Sequence, residues 1–311
     1  EMTRTGLITI DVGGGTTDIS IWQSESLLFQ TSILFAGRDI FEKAARQQEY
    51  FKLIGEILRG VAADKIDQLE LNRKDLFEFS FIFFSLLRGK EGDIFNDLTS
   101  HTGRGEYKTF AGHLFMGVAG IFYYLGLIVS DLMSQNIFHD DYTSIYIAGN
   151  GSKICRWLIS HDAVLRRVIS ETTHLEKFKI QLTSSPKSEV AIGLLKEGRE
   201  TEHNQLNLNS YFAGENFLKG GHPFRPQDIV TTKDFVDGLI SVSDLKELRK
   251  FFKLLDDILG SQYSARIDWH MIAANMKNNF SRYRDADKAK SRCEPLFFTG
   301  LREAMNSLMK A

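Results

Sequence analysis

Three consecutive glycines lie between two short stretches of alternating apolar and polar residues near the start of the chain. Residues 8–12 read Ile-Thr-Ile-Asp-Val, and residues 18–22 read Asp-Ile-Ser-Ile-Trp. A period of two is typical of a β-strand with one buried face, and a glycine-rich turn between two such strands predicts a β-hairpin. We expect the glycines to adopt backbone angles that other residues avoid.

The turn of this hairpin has the composition of a phosphate site. Its residues are Gly13, Gly14, Gly15, Thr16 and Thr17. Glycines let backbone N–H groups approach an anion closely, and threonine hydroxyls can donate further hydrogen bonds to phosphate oxygens. Asp11 and Asp18 flank the turn and would repel a bare phosphate, so they indicate a magnesium ion held through water, or a water molecule oriented for attack. An ordinary hairpin with a glycine-rich turn is the alternative.

A second glycine-rich turn follows a later strand. Residues 145–148, Ile-Tyr-Ile-Ala, are typical of a buried strand, and a helix is expected from about Lys153. The turn between them consists of Gly149, Asn150, Gly151 and Ser152. Farther along, residues 185–195 predict a helix that starts near Pro186 and whose small residues allow close packing.

In this order, the three segments resemble two nucleotide-binding motifs and the start of the second connecting helix of the superfamily that contains actin, the DnaK-type heat-shock chaperones and the sugar kinases. The hairpin resembles the superfamily's second phosphate motif, Asp-x-Gly-Gly-Gly-Thr-Thr/Phe-Asp. It matches that motif at Asp11, Gly13, Gly14, Gly15, Thr16 and Asp18. The turn at Gly149 looks like the adenosine motif, Gly-Gly-x-Ser, with Asn150 in place of the second glycine. Residues 35–41 are a weaker match to the Gly-Gly-x-Asp-Phe-Asp turn of chaperone-like members.

The resemblance implies that the chain binds ATP or ADP together with Mg²⁺. The three glycines and Thr16 would hold the β- and γ-phosphates, and Thr17 would add a hydroxyl. The turn from Gly149 to Ser152 would hold the adenosine, since its small residues let the purine and ribose lie against the backbone. Asp11 would be the catalytic residue that helps to hold magnesium or orient the attacking water, and Asp18 would reach the metal through water.

The resemblance also implies a fold and a division into domains. Residues 1–38 and 106–198 would form an α/β domain of the ribonuclease-H-like, actin-like ATPase type, with a mixed sheet and helices on both faces. Residues 39–105 would be an inserted smaller subdomain. Residues 199–311 match nothing in the superfamily pattern, and we interpret them as a helical extension whose role is open between a lid, a unit that binds a second copy of the chain and a unit that binds a protein partner.

Members of the superfamily close two similar halves over a nucleotide, and the first half carries its own phosphate hairpin. The motifs found here are those of the second, C-terminal half, so we expect a longer parent ATPase whose first half is the partner of this chain. The chain alone is then expected to be inactive. A non-catalytic scaffold or filament module with a retained fold is the main alternative, and a fragment of a sugar kinase is a further one.

Composition excludes some classes of partner. The formal net charge of the 311 residues is −2, so no basic surface for nucleic acid or for an acidic membrane is expected. The two cysteines, Cys155 and Cys293, lie far apart in the sequence and predict reduced thiols in a cytoplasmic protein.

Apolar periodicity predicts the main helices. Residues 114–129 contain no charge, but a helix that spans a membrane needs about 20 apolar residues, so this segment is expected to be a buried helix. Helix starts with capping residues are expected at Thr231 and Ser243. Apolar residues at helical spacing continue through residues 245–259, 267–283 and 297–309.

Overall fold

The structure is a computed structural model. It describes residues 5–24, 26–87, 105–139, 142–149, 151–152, 162–173, 175, 177–183, 210–282 and 294–310. Some sequence predictions fall outside these ranges. They concern Asn150, Cys155, Cys293, the helix start expected at about Lys153 and the helix of residues 185–195.

The centre of the molecule is a mixed five-stranded sheet with the strand order β3-β2-β1-β4-β5. Its strands are β1 (Thr5–Val12), β2 (Thr17–Gln23), β3 (Ser26–Ile33), β4 (Tyr142–Ala148) and β5 (Phe178–Leu182). β2 is antiparallel to β1 and β3, whereas β4 is parallel to both β1 and β5. The predicted hairpin is confirmed, because Ile8 pairs with Ile21 and Ile10 with Ile19, and all four side chains are fully buried.

Five helices accompany this sheet in the first two thirds of the described chain. The first, α1, is a π-helical turn, Arg38–Glu42, followed by an α-helical turn, Lys43–Ala45. The others are α2 (Gln48–Leu71), α3 (Leu76–Leu87), α4 (Gly105–Ser134) and α5 (Asp162–Thr173).

The uncharged segment of residues 114–129 lies within α4, as predicted for a buried helix. Among the described residues, the stretch Thr109–Ser134 is the one helix long and apolar enough to cross a membrane, and 89% of its most apolar window is buried inside the protein. Tyr124 on this helix is fully buried and donates its hydroxyl to the carbonyl of Phe212 at 2.7 Å. The helix is therefore a central, mostly buried element of the hydrophobic core.

The C-terminal part begins with short strands and ends with helices. The strands are β6 (Ser210–Phe212), β7 (Phe217–Lys219), β8 (His222–Phe224), β9 (Ile229–Thr231) and β10 (Ile240–Val242). The helices are α6 (Thr232–Val236), α7 (Lys246–Leu259), α8 (Tyr263–Arg266), α9 (Trp269–Arg282) and α10 (Leu296–Lys310). The predicted start at Thr231 is confirmed by a capping box with Asp234. The strands were not predicted, because three residues are too few to show an alternating pattern.

Aromatic packing joins this C-terminal part to the rest of the core. Phe297 of α10 stacks on Tyr123 of α4 with ring centroids 5.5 Å apart. Phe298 packs against Phe35, just after β3, at 4.9 Å. Such pairs add to the free energy gained from burying apolar area, so α10 is held against the same core that supports the sheet.

Candidate functional site

The two glycine-rich turns meet at one edge of the central sheet. β1 and β4 are parallel neighbours, and Asp11 pairs in register with Ala148. Gly151 in the second turn donates its N–H to the carbonyl of Val12 at 2.7 Å. In open α/β sheets, ligands bind outside the carboxyl ends of the parallel strands, and both turns lie at such ends.

Gly149 and Gly151 are needed because the two turns touch. Gly149 has a φ of +82°, and a Cβ at this position would collide with Asp11 Oδ1 and lie 2.7 Å from the carbonyl carbon of Val12. A Cβ on Gly151 would lie 2.7 Å from the carbonyl oxygen of Gly13. Packing alone thus explains the glycines of the second turn.

The glycines of the hairpin turn do not have the unusual backbone angles that were expected from the sequence. Gly13 donates its N–H to the carbonyl of Thr16 at 2.8 Å, which closes a four-residue loop. None of the three glycines adopts the left-handed φ that was expected. Loops of four residues are most often built around a type I turn, which needs no such angle, whereas two-residue hairpin loops do.

Gly14 and Gly15 are not required by the fold. A Cβ on Gly14 would meet nothing within 4 Å, and a Cβ on Gly15 would meet only Arg38 Nη1, at 3.8 Å. In the part of the chain that the structure describes, the N–H groups of Gly14, Gly15 and Thr16 donate to no protein acceptor. The loop therefore presents three unpaired N–H groups next to open space, which is the arrangement of an anion-binding concavity.

Two carbonyls of this loop accept hydrogen bonds from the backbone that precedes and begins α1. Gly37 donates its N–H to the carbonyl of Gly13 at 3.2 Å, and Arg38 donates to the carbonyl of Gly14 at 2.8 Å. Both donors lie at the start of α1. The first residues of α1 thus fix the orientation of the loop.

Asp39 anchors α1 to the C-terminal helix. Arg302 of α10 donates to Asp39 Oδ1 at 2.9 Å and to the carbonyl of Leu34 at 2.6 Å, and it also contacts Glu294. Burial alone would raise the pKa of Asp39, but the charges of Arg302 and Lys43, with hydrogen bonds from both, hold it below its usual range. Residues 35–41 match a sequence motif, but no sequence pattern points to Arg302.

The two threonines have different surroundings. Thr16 is partly exposed beside the glycines. Thr17 is fully buried, and its hydroxyl donates to the carbonyl of Phe35 at 2.7 Å. In this structure the hydroxyl of Thr17 is therefore used by the fold, and Thr16 is the threonine whose side chain lies beside the open space.

Asp11 and Asp18 lie opposite each other across the hairpin, as register partners of β1 and β2. Burial, and secondly the charge of Asp18, raises the pKa of Asp11. Within the described ranges, neither carboxylate has a cationic partner or a hydrogen-bond donor from the protein. Two such carboxylates fit Mg²⁺, which is commonly held by one or two carboxylates and keeps several waters. No group of three or more metal-ligand side chains occurs among the described residues.

Ser152 completes the second turn. It is buried, and its hydroxyl donates to the carbonyl of Gly149 at 2.6 Å. The side chain therefore shapes the turn, while Asn150 lies outside the described residues. The structure brings Asp11, the loop of residues 13–16 and the turn at Gly149 into contact with one another.

No protein-family model matches the chain, and no curated protein matches it either.

Proposed function

We propose that the chain is the nucleotide-binding half of an ATPase of the actin, DnaK-type chaperone and sugar-kinase superfamily, and that it binds ATP or ADP. The mixed five-stranded sheet with flanking helices is compatible with the ribonuclease-H-like domain that this assignment requires. The loop of residues 13–16 would hold the phosphates, and the turn at Gly149 would lie against the adenosine.

The proposal depends mainly on one observation: the fold does not require glycine at positions 14 and 15. Neither has a left-handed φ, and neither would crowd the protein if it carried a Cβ. Replacing glycine by alanine at such a position usually stabilises a protein by about 0.4–1 kcal/mol. Glycine at both positions is explained by a ligand that approaches the backbone closely, whereas an ordinary hairpin turn offers no such reason.

Magnesium fits the same site. Asp11 and Asp18 would hold it through water, and it would neutralise charge that develops on the transferred phosphoryl group. A cation there would also offset the repulsion that raises the pKa of Asp11. Positioning and electrostatic stabilisation supply most of phosphoryl-transfer catalysis. We therefore expect the chain alone to bind nucleotide but to hydrolyse it negligibly until the first half of the parent protein closes over the site.

The test is a calorimetric titration of the chain with ADP and Mg²⁺. We expect binding, and we expect Gly14→Val to weaken it at least tenfold while the thermal unfolding midpoint stays the same, because the added side chain enters open space. Gly55→Ala is the matched control. Its Cβ would meet only Ile66 Cγ2, at 3.9 Å, within α2, so both fold and affinity should be kept. Absence of ADP binding, or full affinity in Gly14→Val, would overturn the proposal.

A further inference from the structure

A cavity of about 500 Å³ lies at the opposite end of α1 from the glycine loop. Four of its lining residues are cationic: Lys43, Arg46, Arg73 and Lys74. Carboxylates are absent from its described lining. A volume of this size falls within the usual range of small-molecule pockets, about 300–1,000 Å³.

Arg46 is held rigidly at this cavity. Its Nε donates to the carbonyl of Arg73 at 3.1 Å, and its Nη2 donates to the carbonyl of Lys74 at 3.2 Å. The guanidinium also lies 5.7 Å from the ring centroid of Phe79. These contacts use neutral partners, so they fix the position of the positive charge without neutralising it.

Most of the positive charge in the cavity has no compensating carboxylate. Lys43 forms an ion pair with Asp39. Arg46, Arg73 and Lys74 form no ion pair with any residue that the structure describes. Three neighbouring cations without counter-charge repel one another, and an anion that binds among them would relieve that repulsion.

Two further features of the cavity favour an anion. Gln47 lies in its wall and is the N-cap residue of the 24-residue helix α2, with no side-chain hydrogen bond that caps the helix. The start of a helix carries partial positive charge and favours anions. Asn306 of α10 adds an amide donor to the opposite wall.

We propose that this cavity binds a phosphate group of a small phosphorylated ligand, at a site separate from the glycine loop. A planar guanidinium matches the geometry of phosphate oxygens and can bind two of them at once. The described lining is confined to a few residues, which favours a small ligand over an extended acidic peptide, because an extended chain needs a groove that runs beyond a single cavity. The proposal does not depend on nucleotide binding by the hairpin.

The experiment is a calorimetric titration of the whole chain with inorganic pyrophosphate at low and moderate salt. We expect binding that weakens as salt is added. The double substitution Arg73→Gln and Lys74→Gln should weaken it at least tenfold. The Gly14→Val chain, in which the proposed phosphate site of the loop is blocked, should still bind pyrophosphate, and the double substitution in that background should weaken this binding at least tenfold, which separates this site from the loop. If the double variant does not fold by circular dichroism, Lys74→Gln alone, at an exposed position, should still weaken binding severalfold.

Arg249→Gln is the matched control. Like Arg46, Arg249 donates to a backbone carbonyl, that of Asp244, and lies over an aromatic ring, that of Trp269. Arg249 is not among the described residues that line the cavity, so Arg249→Gln should keep the wild-type affinity for pyrophosphate. The proposal is overturned if the wild-type chain does not bind pyrophosphate at about 10 mM, if the double variant binds it as well as the wild type, or if a hexaglutamate peptide binds more tightly than pyrophosphate.

Discussion

Arg302 and Asp39 are 263 positions apart in the chain, yet two N–H groups of the guanidinium bind the two carboxylate oxygens at 2.9 and 3.3 Å. Asp39 belongs to α1, whose first N–H groups hold the carbonyls of the glycine loop. The C-terminal helix therefore supports the geometry of the candidate phosphate site through a single side chain.

Arg302→Met should destabilise the protein by about 3–5 kcal/mol, because it leaves buried Glu294 without its cation. The free energy of unfolding in urea measures the loss. Arg225→Met is the control, since Arg225 is 71% exposed in its ion pair with Asp228, and exposed pairs contribute less than about 1 kcal/mol. Equal losses in the two variants would mean that Arg302 does not anchor the helix.

In the longer ATPase proposed above, Asp11→Asn should slow ATP hydrolysis about a hundredfold or more while affinity changes little. Asparagine keeps the size of the side chain but removes the charge that would fix magnesium or polarise water. Stability should stay the same or rise, because the repulsion between Asp11 and Asp18 disappears. Single-turnover hydrolysis and calorimetric affinity separate the two effects. Hydrolysis at the wild-type rate would favour the scaffold alternative.

Gly149→Ala should lower the free energy of unfolding, whether or not nucleotide is bound. The new Cβ would overlap Asp11 Oδ1 in a backbone conformation with φ of +82°. Gly221→Ala has the same left-handed strain, at φ of +83°, but meets nothing within 4 Å. The amount by which the loss in Gly149→Ala exceeds the loss in Gly221→Ala in urea unfolding is therefore the steric cost of the added Cβ where the two turns touch. No excess would mean that the turns are not packed together.

His113 should make the protein less stable as the pH falls. The side chain is buried in α4, no hydrogen-bond partner for either ring nitrogen is seen among the described residues, and burial, with the charge of Lys43, lowers its pKa to about 4. The unfolded chain takes up this proton from about pH 6.5, so about 3 kcal/mol should be lost between pH 6.5 and 4. Urea unfolding at several pH values should show this slope in the wild type and not in His113→Phe; equal slopes would exclude it.

Glu215 should have the opposite effect to His113, because its contribution to stability is lost as the pH rises. Its carboxylate accepts the N–H groups of Glu247 and Leu248 at the start of α7, at 2.8 and 2.7 Å, but burial still raises its pKa to about 7. The folded protein therefore keeps a proton that the unfolded chain releases, and this stabilisation is lost as the pH rises from about 4.5 to 7. Stability of Glu215→Gln should then rise more steeply with pH over this range than that of the wild type. Parallel profiles would contradict the assignment.

The hairpin, the strand at 145–148 and the buried helix at 114–129 could be predicted because each has a local signature: an alternating pattern, a glycine turn or a long uncharged run. The C-terminal helices were visible from their periodicity, and one start from its cap at Thr231. The capped start expected at Ser243 was wrong, because α7 begins at Lys246 and its N-cap residue, Leu245, makes no capping hydrogen bond through its side chain. Other features depend on residues that are distant in the sequence. The pairing of Arg302 with Asp39 has no local pattern, and the hydrogen bond that occupies the Thr17 hydroxyl depends on the carbonyl of Phe35.

The glycines illustrate the same limit. Sequence alone assigned one reason to all of them, whereas the structure separates positions where a Cβ would collide, such as Gly149, from positions where it would not, such as Gly14. That distinction needs the surrounding atoms. It is also the distinction that makes the hairpin loop a candidate binding site.

The burial of α4 has a consequence for how the protein is made. Its apolar face is covered in part by Phe297 and Leu301 of α10, which are synthesised well after it. At about 5–20 residues per second, the ribosome leaves this helix partly uncovered for roughly 10–30 seconds. We expect chaperones to engage the nascent chain during that interval. A chain released before α10 should sediment as aggregate under conditions in which the full chain stays in the supernatant.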